Sequence, residues 1–591
     1  MSNAVFLRLS VAALALLVAA EGAFANTGKP SMRRPAPMAL DSADTSAGAF
    51  LAAVGASAQR DTSAAAKLIS EALRADPNSP ELLERAFEAQ LAQGDIAEAS
   101  RLARRILQRE PSNSIARLTL AVEAIGGRQY QSARDRLAPG VRGRAAELTA
   151  TLLTAWAYAG SQQWGKALET LDKLRQNNGL AIFADYHAGL IADLAGRSDE
   201  AEKRLKTAYE AANRAPVRLV EAYARFEARK GNVAEAKTAI ATFEQRVGRH
   251  PSIRALSLEL DAGKPVGRMV GSAQQGAAEA LFGLGGEGSR TGDELAGIVY
   301  LRLARYLDPK HDLATVTLAD IYERLKRHDH AIELYQQIDP SSPLAPSADV
   351  QIGLNLETME KPDEAITRLK QAVDRRPDDV EALSALGNVY RAQKKYREAV
   401  DSFSKAIDRV GKPERPNWTL FYFRGSSYER LKEWPKGEAD LKKALELFPD
   451  QPQALNYLGY TWVDLKINLD EGMKMVQRAV ELAPRDGYIV DSLGWAHYRL
   501  GQYEDAVRDL ERAVLLRPSD PTINDHLGDA YWKVGRKLEA HFQWNHARDL
   551  KPEPEDLAKI LVKIENGLED DAPAAAVTTP PSADGEKEKG G

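Results

Sequence analysis

The sequence predicts an all-α protein built as a solenoid of stacked helix pairs, and three observations favour this fold class. Helix-forming residues dominate the 591-residue chain, whereas alternating β-branched runs are scarce. A chain of this length is too long for one compact core. Prolines that end helices also recur at a fixed interval: Pro77 and Pro111 are 34 residues apart, and Pro484, Pro518 and Pro552 repeat that spacing. An array of repeats, in which each unit buries its neighbour, accounts for all three observations.

Within each period, small and aromatic residues occupy fixed positions. In the unit at 380–411, Leu-Gly387-x2-Tyr390 is followed by Ala399-x3-Phe403. A small residue at the eighth position lets the first helix of a pair approach the second closely. Alignment on these positions gives up to fourteen units, beginning near residues 46, 80, 114, 148, 182, 217, 278, 312, 346, 380, 418, 452, 487 and 521.

This pattern resembles the tetratricopeptide repeat (TPR) family. The resemblance implies a right-handed TPR superhelix, an α-solenoid of about 12–14 helix-turn-helix repeats, with a C-terminal capping helix and a concave surface that binds proteins. The segments 491–501 (DSLGWAHYRLG) and 301–309 (LRLARYLDP) further resemble a bacterial group of long envelope TPR proteins. That group includes a lipoprotein partner of a periplasmic carboxyl-terminal processing protease. Its lipoproteins carry a lipid-modified Cys after the signal, which this sequence lacks.

The first residues read as a secretory signal. An 11-residue apolar stretch, SVAALALLVAA, precedes Ala23-Phe24-Ala25, which fits an A-x-A cleavage site. We therefore expect cleavage after Ala25, export to the periplasm and no integral membrane segment afterwards. The alternative of an uncleaved membrane anchor requires about 20 apolar residues, more than this stretch provides. Because the sequence contains no cysteine, it can form no disulfide and has no thiol that could carry a lipid.

Composition shifts and breaks in the period divide the chain. The predicted segments are a signal peptide (1–25), a flexible lead-in (26–45), an N-terminal TPR block (46–250), an irregular linker or hinge (251–277), a C-terminal TPR block (278–553), a capping helix (554–568) and a disordered tail (569–591).

The sequence gives little support for catalysis or for nucleic-acid binding. The net charge of −5, from Lys+Arg 79 against Asp+Glu 84, argues against a phosphate-binding protein. Gly283-x-Gly285-x-x-Gly288 matches the dinucleotide fingerprint, but no strand precedes it, so repeat packing is the better interpretation. The His328-Asp-His330 cluster is interpreted as a polar turn rather than a metal site. The sequence thus predicts no enzyme, cofactor or metal.

The TPR resemblance implies a partner-binding surface. In this family, the second, fifth, ninth, twelfth and thirteenth residues of the first helix line the groove. Carrying those positions onto the last four units predicts a partner-binding site of Tyr422, Glu429, Arg430, Asn456, Tyr460, Tyr488, Asp491, Trp495, Tyr498, Arg499, Asp525, Asp529 and Trp532.

Six of the eight tryptophans lie in these four units. Aromatic rings among charges suit protein recognition, but rings can equally fill the core between repeats. For Tyr531 and Trp544 we expect the core, whereas for Trp495, Tyr498 and Trp532 both roles stay open.

The predicted function is a protein–protein interaction scaffold or adaptor of the bacterial cell envelope. Its partners are other proteins, and the resemblance raises activation of, or client delivery to, a periplasmic protease. The alternative is a structural subunit of an envelope secretion or polysaccharide-export assembly.

Overall fold

A computed structural model describes residues 46–58, 61–138, 144–176, 179–290 and 293–568. The predicted signal peptide, flexible lead-in and disordered tail lie outside these residues. The described residues form α-helices and one short 3-10 helix, and they contain no strand. The all-α solenoid prediction is therefore confirmed. The chain divides into two compact units after Pro377.

The first unit contains nineteen α-helices within its described residues. They are α1 (Ser46–Ala58), α2 (Thr62–Ala75), α3 (Pro80–Gln93), α4 (Ile96–Arg109), α5 (Ser114–Gly126), α6 (Tyr130–Leu137), α7 (Arg144–Gly160), α8 (Trp164–Arg175), α9 (Ala181–Leu194), α10 (Ser198–Ala211), α11 (Val217–Lys230), α12 (Val233–Arg246), α13 (Pro251–Asp261), α14 (Ala273–Arg290), α15 (Glu294–Leu307), α16 (Asp312–Arg324), α17 (His328–Tyr335), α18 (Ala345–Thr358) and α19 (Pro362–Arg375).

The second unit continues the same organisation over its described residues, with a 3-10 helix at Arg415–Asn417. Its helices are α20 (Val380–Ala392), α21 (Tyr396–Val410), α22 (Trp418–Arg430), α23 (Trp434–Leu447), α24 (Pro452–Asp464), α25 (Leu469–Leu482), α26 (Gly487–Arg499), α27 (Tyr503–Leu516), α28 (Pro521–Lys533), α29 (Lys537–Asp549) and α30 (Pro554–Asn566).

Successive helices pack as antiparallel pairs, and we call the first helix of a pair its A helix and the second its B helix. Fourteen pairs are present among the described residues, and α13 and α30 stand outside them. Each A helix begins within five residues of the start that the sequence predicts. At the eighth position, Gly387 leaves room for Phe403 of its B helix, because an added Cβ would lie 2.8 Å from that ring.

The turn between the A and B helices commonly contains one residue with a left-handed backbone. In the first unit, Gly94, Arg128, Gln162 and Gly196 have φ of 93°, 58°, 58° and 72°. Non-glycine residues rarely adopt this conformation, so its recurrence every 34 residues shows that the turn geometry is set by the packing of the pair. The same feature appears in the second unit at Lys394, Lys432, Lys466, Gly501 and Gly535.

The structure differs from the sequence prediction at 251–277, where an irregular linker was expected. Helix α13 forms the first part of this segment, with Pro251 in its first turn. Ile253, Leu256 and Leu260 share one face and are buried with residues of α11 and α12. This packing explains why a break in the repeat period still encodes a helix. The whole segment lies inside the first compact unit.

After this segment, the chain of the first unit returns to its earlier repeats. Helices α14 and α15 form a close pair that also packs against the A helices α3, α5, α7 and α9. The Gly283-x-Gly285-x-x-Gly288 sequence lies within α14, and a Cβ on Gly285 would be 2.9 Å from Leu301 of α15. Gly285 therefore serves the packing of the pair, as its position in the repeat predicts.

Candidate functional site

The predicted partner-binding residues all lie on A helices of the second unit. We call the surface formed by α20, α22, α24, α26 and α28 the A-helix face. Neighbouring A helices contact one another through their side chains: Tyr457 of α24 donates a hydrogen bond to Glu429 of α22 (3.0 Å), and Asn456 donates to Ser492 of α26 (3.0 Å). Many groove positions thus also join one repeat to the next.

Aromatic residues surround Tyr422 at the start of this face. Its ring lies 5.6 Å from that of Trp418 and 5.9 Å from that of Tyr457. Burial raises the pKa of Tyr422, and burial together with Asp464 and Asp491 raises the pKa of Tyr460 to about 12. Both phenols therefore stay neutral and present an apolar ring with one hydroxyl.

Trp495 lies in a stack of rings between α26 and α28. Its indole is 4.5 Å from the Tyr498 ring and 3.9 Å from the His526 ring, with interplanar angles of 10° and 18°. Asp491 holds the imidazole from the side, with Nδ1 at 2.9 and 3.1 Å from its two carboxylate oxygens. Trp495 and Tyr498 therefore contribute to the contact between repeats, while both remain half-buried.

The Asp491 carboxylate controls the charge of His526. Burial alone would lower the pKa of His526, but the attraction of Asp491 outweighs it and raises that pKa above its ordinary value. The imidazole sits between two helices, so its proton stabilises the joint between their repeats.

The capping helix covers the C-terminal end of the A-helix face. Lys563 of α30 places its ammonium 2.7 Å from an oxygen of Asp525 and 2.8 Å from one of Asp529. A Cβ on Gly567 would lie 2.2 Å from the Trp532 ring, so the segment after α30 packs directly on that indole. Asp525, Asp529 and Trp532 are thus engaged by the protein's own cap. Burial raises the pKa of Asp529 to about 6 despite the nearby Lys563.

The other predicted residues are partly engaged. Arg499 donates to the backbone carbonyl of Asp464 (3.0 Å), and Arg430 lies 3.6 Å from Glu429 while remaining exposed. Tyr488 is 50% exposed and lies under the Arg517 guanidinium, 4.3 Å from the ring centroid. As expected, Trp544 is fully buried, and it donates its indole N–H to Asp529.

Two residues of this face were not singled out from the sequence. Asn388 and Arg391 occupy the ninth and twelfth positions of α20, and the Arg391 guanidinium lies 4.7 Å from the centre of the Phe423 ring. Asn388 Oδ1, Arg391 Nε and Asn456 Oδ1 are buried and have no hydrogen-bond partner among the described residues. The positional rule applied to α22–α28 would have found both α20 residues, had it been extended by one repeat.

The described residues contain neither a cluster of metal ligands nor a helix that could span a membrane. No cluster of His, Asp and Glu in this part of the chain has the arrangement of a metal site. His328 and His330 are held by Asn355 and Arg327. Across the described ranges, no helix has both the length and the apolarity needed to cross a bilayer.

Four parts of the chain match models of known protein families. Models described as tetratricopeptide repeat match residues 56–122, 316–338 and 350–414, and a TPR repeat model matches 494–535.

Two curated proteins are similar over part of the chain. A TPR repeat-containing protein of Pseudomonas aeruginosa is 30% identical over 205 residues, covering 33% of this chain and 33% of that protein. Coatomer subunit epsilon of Dictyostelium discoideum is 25% identical over 167 residues, covering 28% of this chain and 52% of that protein. The matches therefore span about a third and about half of the lengths of these relatives.

Solved structures that are similar to this chain include the APC/C hetero-tetramer Cut9–Hcn1. It has 16% sequence identity and a TM-score of 0.38, covering 89% of this chain and 97% of that one. YrrB, a TPR protein with an unusual peptide-binding site, has 23% identity and a TM-score of 0.25, covering 32% of this chain and 92% of that one.

Proposed function

Since this chain is a tetratricopeptide-repeat protein, we propose that it is a scaffold that binds other proteins along the A-helix face of its second unit. Rigid stacked repeats present a binding surface that is already ordered, so little conformational entropy is lost when a partner binds. The proposal assigns no catalytic step to the protein.

The observation that carries this proposal is the set of unpaired polar atoms on α20 and α24. A buried polar atom without a partner costs about 1–3 kcal/mol, so a folded protein keeps few of them without a use. Asn388 Oδ1 and Asn456 Oδ1 need donors, and Arg391 Nε needs an acceptor. A polypeptide backbone supplies both kinds of group at short intervals, and side chains on the ligand can lie against Tyr422 and Phe423.

We further propose that this scaffold works in the bacterial envelope. Its support is the signal-like sequence before Ala25 and the resemblance of 278–552 to envelope TPR proteins. On the same resemblance, we propose that one partner is a periplasmic carboxyl-terminal processing protease, which the scaffold activates or supplies with clients.

Binding of the purified protease from the same organism tests the assignment of the face. We expect Asn388→Ala combined with Asn456→Ala to weaken binding about tenfold or more, since ligand hydrogen bonds are lost. The same variant should lose at most about 1 kcal/mol in the free energy of unfolding, because it removes two unsatisfied buried oxygens as well as the Asn456 hydrogen bond to Ser492. Asn545→Ala is the matched control, since Asn545 on a B helix donates to the His541 carbonyl of its own helix.

The outcomes separate the parts of the proposal. If the protease binds equally well to the double variant, the A-helix face is not its site. If the unmodified protein does not bind the protease at all, the protease assignment is withdrawn. Fractionation of cells that produce the full chain, or the chain without residues 1–25, tests the location independently: the first should be periplasmic and the second cytoplasmic.

A further inference from the structure

The A helices of the first unit already hold an occupant. The α14–α15 hairpin, residues 273–307, packs against α3, α5, α7 and α9. These are the A helices of consecutive N-terminal repeats, the counterparts of the helices that form the A-helix face in the second unit. The chain has therefore placed its own hairpin where a solenoid of this family would present its binding surface.

Helix α14 packs closely against α7 and α9. A Cβ on Gly276 would lie 2.2 Å from the ring of Trp156 in α7, and one on Gly283 would lie 2.9 Å from the ring of Phe183 in α9. Ala277 and Ala280 of α14 are fully buried. A stripe of Gly and Ala thus lets α14 approach α7 and α9 more closely than ordinary side chains would allow.

A buried carboxylate fixes the hairpin in register. Glu279 of α14 is 3% exposed and accepts hydrogen bonds from the Tyr186 hydroxyl (2.9 Å) and from Arg218 Nε (3.1 Å to each oxygen). His311 Nε2 lies 3.2 Å from the same carboxylate, and Glu221 shares Arg218 at 3.1 Å.

Neighbouring cations determine the charge of the Glu279 carboxyl group. Burial would raise the pKa of Glu279, but Arg218 and His311 outweigh it and hold that pKa well below its usual range. The carboxylate is therefore ionised, and α9 and α11 bind it as they would bind an acidic ligand side chain. Nearby His187 stays neutral, because burial lowers its pKa to about 4.

Polar contacts also secure the second helix of the hairpin. The Tyr300 hydroxyl lies 3.1 Å from Thr149 Oγ1, and Arg302 Nε donates to the Ala92 carbonyl (3.1 Å). Farther along, Arg327 pairs with Asp61 at 3.2 Å. The hairpin and the segment after it are thus tied to the N-terminal repeats from α2 to α11.

We infer that the α14–α15 hairpin is a built-in, permanent ligand of the N-terminal repeats, and that this face of the first unit takes no external protein. Its recognition chemistry is a helix with a Gly/Ala stripe and one buried carboxylate, and the chain supplies both itself. Departure of the hairpin would expose Trp156 and Phe183 to water and would remove the carboxylate from Arg218, so release is strongly opposed.

Hydrogen exchange of the full chain tests this inference directly. In the unmodified protein, the slowest amides of α14 and α15 should exchange within threefold of those of α7 and α9, since all four helices open together. Exchange in α14 and α15 that is more than tenfold faster than in α7 would show a hairpin that leaves on its own, and would overturn the inference.

Two glycine substitutions in the same helix provide a matched pair. Gly276→Ala forces a methyl group into the Trp156 ring, so we expect exchange in α14 and α15 to become at least tenfold faster. Gly286→Ala is the control, because a Cβ there meets nothing within 4 Å and alanine favours the helix. Equal exchange in the two variants would overturn the close docking. Stronger binding of the protease by Gly276→Ala than by Gly286→Ala would show a hidden partner site, and would also overturn the inference.

Discussion

The two units use the same helix pair but leave different surfaces available. In the first unit, the A helices α3, α5, α7 and α9 are covered by the α14–α15 hairpin. Glu279, Tyr300 and Arg302 make polar contacts with α9, α7 and α3, while Nε2 of His187 in α9 is buried without a partner among the described residues. In the second unit, the A helices α20 and α24 keep buried polar atoms without partners. The two units therefore share the helix-pair scaffold but differ in whether the chain itself covers their A helices.

In the second unit, the chain's own cap engages the C-terminal end of the A-helix face. At its C-terminal end, Lys563 and the segment around Gly567 engage Asp525, Asp529 and Trp532, as the hairpin engages the first unit. Unpaired buried atoms occur on the earlier repeats, at Asn388, Arg391 and Asn456, and also on α28, at Asn524 and Asp525. Four sets of substitutions, taken from the largest expected effect to the smallest, test this comparison.

Removal of the cation in the first unit should have the largest effect. Arg218→Ala leaves the Glu279 carboxylate buried with Tyr186 and His311 as its remaining partners, and we expect a loss of about 3–5 kcal/mol in the free energy of unfolding of that unit. Denaturant unfolding, monitored by hydrogen exchange of the amides in α11 and α14, measures this loss. Arg101→Ala is the control, because Arg101 pairs with Glu98 on the surface with 58% of its side chain exposed, and should cost less than about 1 kcal/mol.

Removal of the cap cation should come next. Lys563→Met leaves Asp525 and Asp529 together without a counter-charge, and we expect a loss of about 2–3 kcal/mol at pH 7 in the second unit. A carboxyl whose folded pKa is raised destabilises the fold as pH rises through that pKa. Because the pKa of Asp529 is about 6, the loss should be smaller at pH 5 than at pH 7. An equal loss at both pH values would contradict this account of the cap.

A smaller effect is expected at the joint between α26 and α28. Asp491→Asn removes the charge that holds His526, and should cost about 1–2 kcal/mol at pH 6. Because the folded pKa of His526 is raised, its contribution is fully present below the unfolded pKa and is lost as pH rises through the folded pKa. Unfolding curves at several pH values should show this decline in the unmodified protein, and a decline of the same size in Asp491→Asn would argue against the pairing.

The smallest effects should be equal in the two units. Gly196 and Gly501 have φ of 72° and 76°, and a Cβ on either meets nothing within 4 Å. Alanine at either position should therefore lower the free energy of unfolding by about 1 kcal/mol, because a residue with a Cβ is strained in this backbone conformation. Matching losses in thermal unfolding would support one shared scaffold, whereas a twofold difference would mean that the turns of the two units are not equivalent.

The sequence predicted the helix pairs well because the signals for them are local. Small residues such as Gly387 and Gly528 must face their B helices, and the period follows from that requirement. The hairpin docking could not be predicted, since Glu279 meets residues 61 and 93 positions earlier in the chain. No periodic pattern encodes such pairs.

The candidate site was predicted only in part for a similar reason. Positions on an A helix face both the groove and the next repeat, so the residue type at Trp495 or Asp525 does not tell which neighbour it meets. The ring stack with His526 and the contact with Lys563 depend on which side chain the next helix presents. The unpaired atoms of Asn388 and Asn456 become visible only when every neighbouring donor has been placed.

One crosslinking measurement tests the contrast between the units most directly. A photo-reactive phenylalanine analogue is placed at Tyr422 on the A-helix face of the second unit or at Tyr300 on α15, in the hairpin that covers the A helices of the first unit. Both tyrosines are half-buried. After irradiation in cells and mass spectrometry, the account predicts adducts to another protein from position 422 and adducts only within the chain from position 300. Capture of another protein from position 300, with none from position 422, would contradict it.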